Sequence, residues 1–170
     1  MKMNEKWMRL SKGFRISIVY SGMIILTMVI LNVLTGGYPW CMYPIFGVLW
    51  WPMSAYFAGR RQPLHYALCA MALLSAMFVL TYLFTNAGGY PWFLFPVLAV
   101  GWWPLSVWGA HAGAQRFSVT ATLYILLTLL IINLLSTPHY FWCLFPAVLV
   151  IWWPLTLWLH ARSHDGNKEE

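Results

Sequence analysis

Charged and apolar positions separate along this chain on the scale of whole segments. Residues 16–59, 62–115 and 117–161 contain no Asp, Glu, Lys or Arg, giving uncharged runs of 44, 54 and 45 residues. A helix needs roughly 20 apolar residues to cross the hydrocarbon core of a bilayer, so each run has room for two crossings joined by a short turn. Six transmembrane helices follow, expected at 16–35, 40–59, 64–84, 92–111, 119–135 and 142–160. The first run follows a basic segment, as the core of a signal peptide does. Its apolar stretch exceeds the 7–15 residues of such a core and leads straight into Gly36-Gly37-Tyr38-Pro39-Trp40, which predicts an uncleaved first span.

The pattern is also periodic. Residues 36–60 read GGYPWCMYPIFGVLWWPMSAYFAGR and residues 88–112 read GGYPWFLFPVLAVGWWPLSVWGAHA, aligned without a gap at an offset of 52. A third copy, TPHYFWCLFPAVLVIWWPLTLWLHA at 137–161, keeps the Trp, the Pro four residues on and the Trp-Trp-Pro triplet. A fainter repeat marks the odd-numbered helices: Thr27 and Asn32, Thr81 and Asn86, Thr128 and Asn133, each pair five residues apart near the end of its span. The unit is therefore a helical hairpin occurring three times, with boundaries at 1–62, 63–116 and 117–170. The expected fold is an all-α membrane protein, a bundle of three hairpins around a pseudo-threefold axis. Default roles for the Thr and Asn repeats are interhelical hydrogen bonding or bonding back to the helix itself.

Two prolines punctuate each second helix. Pro44, Pro96 and Pro146 fall in or near the first turn, where a missing N–H costs least. Pro52, Pro104 and Pro154 lie inside the span, and each frees the carbonyl four residues back, Val48, Val100 or Val150. The indoles of the pairs Trp50-Trp51, Trp102-Trp103 and Trp152-Trp153 are the expected donors to those carbonyls, because a buried indole N–H needs an acceptor. Trp40, Trp92 and Trp142 mark the opposite kind of place, the headgroup region of one membrane face.

Composition agrees with the segment pattern: 61% of the chain is apolar, 18% aromatic and 8% charged, against roughly 25% charged in soluble domains. Charge then orients it. The ten basic residues, Lys2, Lys6, Arg9, Lys12, Arg15, Arg60, Arg61, Arg116, Arg162 and Lys168, all lie on one side of a six-span arrangement. By the positive-inside rule both termini face the cytoplasm of a cell membrane and the Gly/Pro/aromatic turns face outward. A net charge of +6 distributed between apolar runs forms no stripe for nucleic acid, so none is expected as a partner. The expected partners are the lipid bilayer, another membrane protein or a second copy of the chain.

Chemistry-bearing groups are few. No ionisable Asp, Glu, Lys or Arg falls within an expected span, which disfavours proton relays and voltage sensing. Enzyme chemistry would need a carboxylate pair, an activated nucleophile or a metal cluster, and none is recognisable, so neither catalysis nor a cofactor is expected. His65, His111 and His160 lie near the basic side but at non-equivalent repeat positions, and they read as interfacial. His139 and His164 read as solvated. Cys41, Cys69 and Cys143 show no metal-ligand spacing and read as apolar filler; Cys41 and Cys143 share a repeat position, and pairing them would need Cα atoms within about 7 Å.

The run Pro91-Trp92-Phe93, Pro96, a Trp-rich stretch, then His111-Ala112 resembles the small bacterial two-transmembrane domain, a helical hairpin found alone or fused to regulators and histidine kinases. The likeness covers about 25 residues per unit, and the Trp-Trp-Pro triplet and three hairpins in tandem depart from it. The missing catalytic groups and the short loops favour a non-enzymatic accessory or sensory module acting through protein or lipid contacts. The alternative is a small transporter or substrate-binding subunit for an apolar or cationic solute, which internal repeats and proline-broken helices would suit. Either way, repeat and polarity coincide at one place. Trp51, Pro52 and Ser54, Trp103, Pro104 and Ser106, and Trp153, Pro154 and Thr156 are the candidate ligand-binding residues, expected to meet where the three broken helices converge.

Overall fold

The structure, a computed structural model, describes residues 12–86 and 88–166. Lys2, Lys6, Arg9 and Lys168 lie outside the described residues, as do the side chains of Asn86 and His164. Among the described residues there are six helices and no strand: α1 Lys12–Thr35, α2 Met42–Phe57, α3 Pro63–Asn86, α4 Leu94–Ala112, α5 Ala114–Ser136 and α6 Leu144–Gly166. Each expected span coincides with one helix. By length and composition α1, α3 and α5 are long and apolar enough to cross a bilayer, a helix set that fits a membrane protein. The second helices are shorter: α2 has 16 residues and the apolar part of α6 is Leu144–His160.

Local sequence explains the helix ends. Pro44, Pro96 and Pro146 are each the third residue of their helix, in the first turn as expected, and Pro52, Pro104 and Pro154 are interior. The α4 to α5 connection is a single residue, Gly113, at φ +82°. Only glycine adopts that backbone without penalty, and its carbonyl accepts the first α5 bond, from the Phe117 N–H at 3.0 Å.

By contact the chain divides into two compact units within α4, the first ending at Val100 and the second beginning at Gly101. In the first, α2 packs against both α1 and α3; in the second, α5 packs against α6. The packed faces are small and partly polar. α1 buries Ser17, Ser21 and Asn32, α3 buries Ala67 and Ala70, and α5 buries Ser118, Ala121, Thr122 and Asn133. Small side chains let helix backbones approach closely where lipid removes any hydrophobic drive to associate. The large apolar residues point outward instead: Leu34 is 76% exposed, Leu149 76% and Phe145 80%. Soluble proteins distribute these residue types the other way round.

Candidate functional site

Equivalent positions in the first and third hairpins, 101 or 102 residues apart, carry the same polar fastenings. In the first, Asn32 sits near the end of α1 and reaches over the turn. Its Nδ2 donates to the Tyr38 carbonyl at 3.1 Å and its Oδ1 accepts from the Cys41 N–H at 3.3 Å. Asn133 does the same at the end of α5, donating to the carbonyls of Thr137 (2.9 Å) and Tyr140 (2.7 Å) and accepting from Cys143 N–H at 3.2 Å. One amide thus serves both faces of the turn, holding its carbonyls and supplying an acceptor to a donor that the second helix leaves unpaired at its start. The indole of Trp40 donates to Thr35 Oγ1 at 3.3 Å, and that of Trp142 to Thr137 Oγ1 at 2.9 Å.

Two of the proline-freed carbonyls, those of Val48 and Val150, have side-chain partners other than the expected indoles. Ser21 of α1 reaches the Val48 carbonyl at 3.4 Å, and Thr122 of α5 reaches that of Val150 at 3.5 Å. Both are long bonds. The donors are hydroxyls of the facing helix, where an indole locking the kinked helices together was the expectation. Four of the paired tryptophans face other rings. Trp51 stacks on Tyr20 (6.4 Å), Trp50 meets Tyr66 edge-on (6.4 Å), Trp102 tilts against Tyr124 (5.8 Å) and Trp153 meets Phe117 edge-on (6.0 Å).

The middle hairpin differs in sequence at the same place. Ala87 stands where Thr35 and Thr137 stand in the other copies, and the spacing from Asn86 to Phe93 is two residues shorter than from Asn32 to Cys41. At its turn Tyr82 donates to the Gly89 carbonyl at 2.8 Å, with its ring 4.8 Å from Phe93. Ser75, 54 residues after Ser21 as Thr81 is after Thr27, has a buried hydroxyl with no hydrogen-bond partner. Thr128 Oγ1 is likewise buried and unpartnered, whereas Thr27 and Thr81 bond back to Met23 and Met77 at 2.9 and 2.8 Å.

Of the nine candidate site residues, Trp51, Trp103 and Trp153 are 49%, 36% and 39% exposed, Pro104 is buried, and Pro52 and Pro154 are half-buried. Ser106 and Thr156 donate to their own helices, to the Trp102 and Trp153 carbonyls, each at 2.8 Å. Ser54 alone among the three hydroxyls pairs with another helix, lying 3.1 Å from Tyr66 OH of α3. Within the second unit the close-packed pair is α5 with α6, so no close packing brings the α4 and α6 triplets together there.

Two further repeat-equivalent contacts escaped the sequence reading. The guanidinium of Arg60 lies 3.8 Å over the Tyr56 ring, and that of Arg162 lies 4.9 Å over Trp158. Cation–π pairs of this kind tether a basic side chain to an aromatic one turn earlier. The signal was an aromatic four residues before an Arg, present in the first and third copies and replaced by Trp108 and Ala112 in the second. The cysteines are free thiols, and His65, His111, His139 and His160 are exposed.

Electrostatics at the α1–α2 turn adds one measurable property. Tyr38, outside the apolar helices, shares a 2.7 Å bond between hydroxyls with Tyr43, and that bond pushes its pKa from 10.0 up to about 12. A raised phenol favours the folded state below its ordinary pKa and loses that contribution as pH climbs from 10 to 12. Carbon NMR of ring-labelled tyrosine should show Tyr38 still protonated when ordinary phenols have ionised, and Tyr43→Phe should return it toward the ordinary range. No protein-family profile, no curated protein and no solved structure matches the chain, so the likeness to the two-transmembrane domain rests on the residues quoted above.

Proposed function

We propose that the chain is a multi-pass membrane protein without enzymatic activity, an accessory or sensory module working through contacts with another membrane protein, a second copy of itself or lipid. The observation that carries this reading is the inverted distribution of side chains. Ser17, Ser118 and Asn133 are fully buried, while leucines, phenylalanines and tryptophans cover the outside. Such a surface is suited to lipid or to other apolar helices. The described polar groups of the hairpins are also largely occupied in fastening the turns and backbone, which leaves few for substrate chemistry.

In this reading all six helices cross. The 16 residues of α2 reach only about 24 Å, so its span includes the turn before it, where Trp40 would lie at headgroup level. Three hairpins then pack about a pseudo-threefold axis in the plasma membrane, with both termini and every basic residue on the cytoplasmic side. A cysteine scan tests the orientation: an impermeant thiol reagent added to intact cells should modify Thr85→Cys and leave Arg60→Cys untouched, and the reverse result would discard the topology. Native mass spectrometry of the detergent-purified chain tests the role. Co-purification of a second protein or a second copy supports it, and a stoichiometric soluble small molecule retained by the chain would replace it with a binding or transport function.

A further inference from the structure

The corner between α2 and α3 is built differently from the rest of the surface. An open cleft of about 530 Å³ lies there, lined by Ser54, Phe57, Arg60, Arg61, Pro63 and Tyr66 among others. Backbone bonds already occupy the end of α2: the Ala58 N–H donates to the Ser54 carbonyl and the Arg60 N–H to that of Phe57, each at 2.9 Å. Those carbonyls therefore have donors without drawing on the arginine side chains. The 44 residues before Arg60 and the 54 after Arg61 hold no acidic residue, so the described helices of its own unit offer this double positive charge no carboxylate to neutralise it.

Three further features fit an anion with a carbon body. The Arg60 guanidinium carbon lies 3.8 Å over the Tyr56 ring, a cation–π contact that does not consume the N–H donors of its fork. Pro63 is both a wall of the cleft and the first residue of α3, so the positive end of a 24-residue helix dipole opens on the same corner. The Ser54 and Tyr66 hydroxyls form a polar pair at 3.1 Å on one wall, and Phe57 and Pro63 supply carbon on others.

We propose that the α2–α3 corner binds a phosphate ester, with Arg60 and Arg61 on the phosphate oxygens and the organic part of the ester against Phe57 and Pro63. The proposal rests on the chain being embedded in a bilayer, where anionic phospholipid headgroups offer this chemistry at the helix ends. Each basic residue near such a surface contributes about 1 kcal/mol, so two of them imply roughly tenfold or greater preference for an anionic over a zwitterionic lipid.

Native mass spectrometry of the full chain, with phosphatidylglycerol or phosphatidylcholine added, reads that preference directly. The wild type should retain phosphatidylglycerol at least about tenfold better, the Arg60→Gln/Arg61→Gln variant should lose the difference, and Arg116→Gln, outside the cleft, should keep it. Arg61→Gln alone, which leaves the Tyr56 contact in place, should lose most of it if the double variant proves unstable. Displacement of the lipid by millimolar inorganic phosphate would assign the site to a soluble phosphate ester, and its failure to displace would assign the site to the lipid headgroup. Undiminished preference in both arginine variants overturns the proposal. A chain that stays soluble and monodisperse without detergent would instead overturn the membrane reading beneath it.

Discussion

Replacing Asn133 by alanine is expected to cost about 3 kcal/mol of stability, the largest loss for any single polar side chain here, because its amide makes three bonds worth about 1 kcal/mol each. Asn133 is 0% exposed and its bond with the Cys143 N–H is buried, so that donor would be left without this partner away from water, while the carbonyls of the exposed Thr137 and Tyr140 would lose the bonds that hold the turn. Asn32→Ala should cost less, about 2 kcal/mol, because Asn32 makes two such bonds and is 9% exposed. Asn133→Asp separates the staple from mere packing. It keeps the acceptor for Cys143 but brings a carboxylate against two carbonyls, and should be at least as damaging as alanine at neutral pH. Unfolding of the three variants in mixed micelles by added denaturing detergent gives the ranking. If Asn133→Ala lies within about 0.6 kcal/mol of wild type, the average for one interhelical bond, the turn is held by something other than its amide.

The repeat made these asparagines visible in the sequence but not their task. Polar residues inside an apolar run suggested bonding between helices or along one. Asn32 and Asn133 instead hold the turn, because the amide lies within the last turn of its helix and the nearest unpaired backbone groups belong to the connection just beyond. Asn86 looks equivalent when counted from Thr81, yet it stands closer to the following helix than its counterparts do. Counting from one motif does not reveal an insertion or deletion between two. The prolines show a similar division. Their position fixed which carbonyls would lose an N–H, and Val48 and Val150 do receive outside donors. The identity of the donor depended on which faces of α1 and α5 meet α2 and α6, and no spacing in the sequence states that. Ser21 and Thr122 reach those carbonyls because they sit on the small-residue faces that bring the backbones close. The candidate site at Ser54, Ser106 and Thr156 rests on repeat equivalence and polarity; in the structure the three hydroxyls have two different kinds of partner, one on a neighbouring helix and two on their own.

Repeat comparison does expose one position where sequence and packing can be tested against each other. Gly109 of α4 stands where the other copies carry Phe57 and Leu159, and the reason is the ring of Phe117 at the start of α5. A Cβ on residue 109 would lie 2.8 Å from Phe117 Cγ and closer still to Cδ2 and Cε2. Cγ is the base of the ring, which a small rotation about the last side-chain bond does not move away. The one-residue connection at Gly113 gives α5 little slack to retreat, and the ring is also edge-on to Trp153 at 6.0 Å, so a displaced Phe117 presses on the third Trp-Trp-Pro segment. Gly109→Ala should therefore destabilise by about 2 kcal/mol despite alanine's better helix propensity, as overpacking generally does. Gly101→Ala should cost less, because its new methyl meets first the hydroxyl end of Tyr124, which can swing aside. Gly47→Ala, in a position with nothing within 4 Å of the added carbon, should be neutral or stabilising by up to about 1 kcal/mol. Pairing Gly109→Ala with Phe117→Ala removes the ring that the methyl would strike. The double variant should then be more stable than the sum of the two single losses by roughly 1 kcal/mol or more, the coupling expected of residues in contact. Strict additivity of the two substitutions would mean that α4 and α5 do not meet through this glycine.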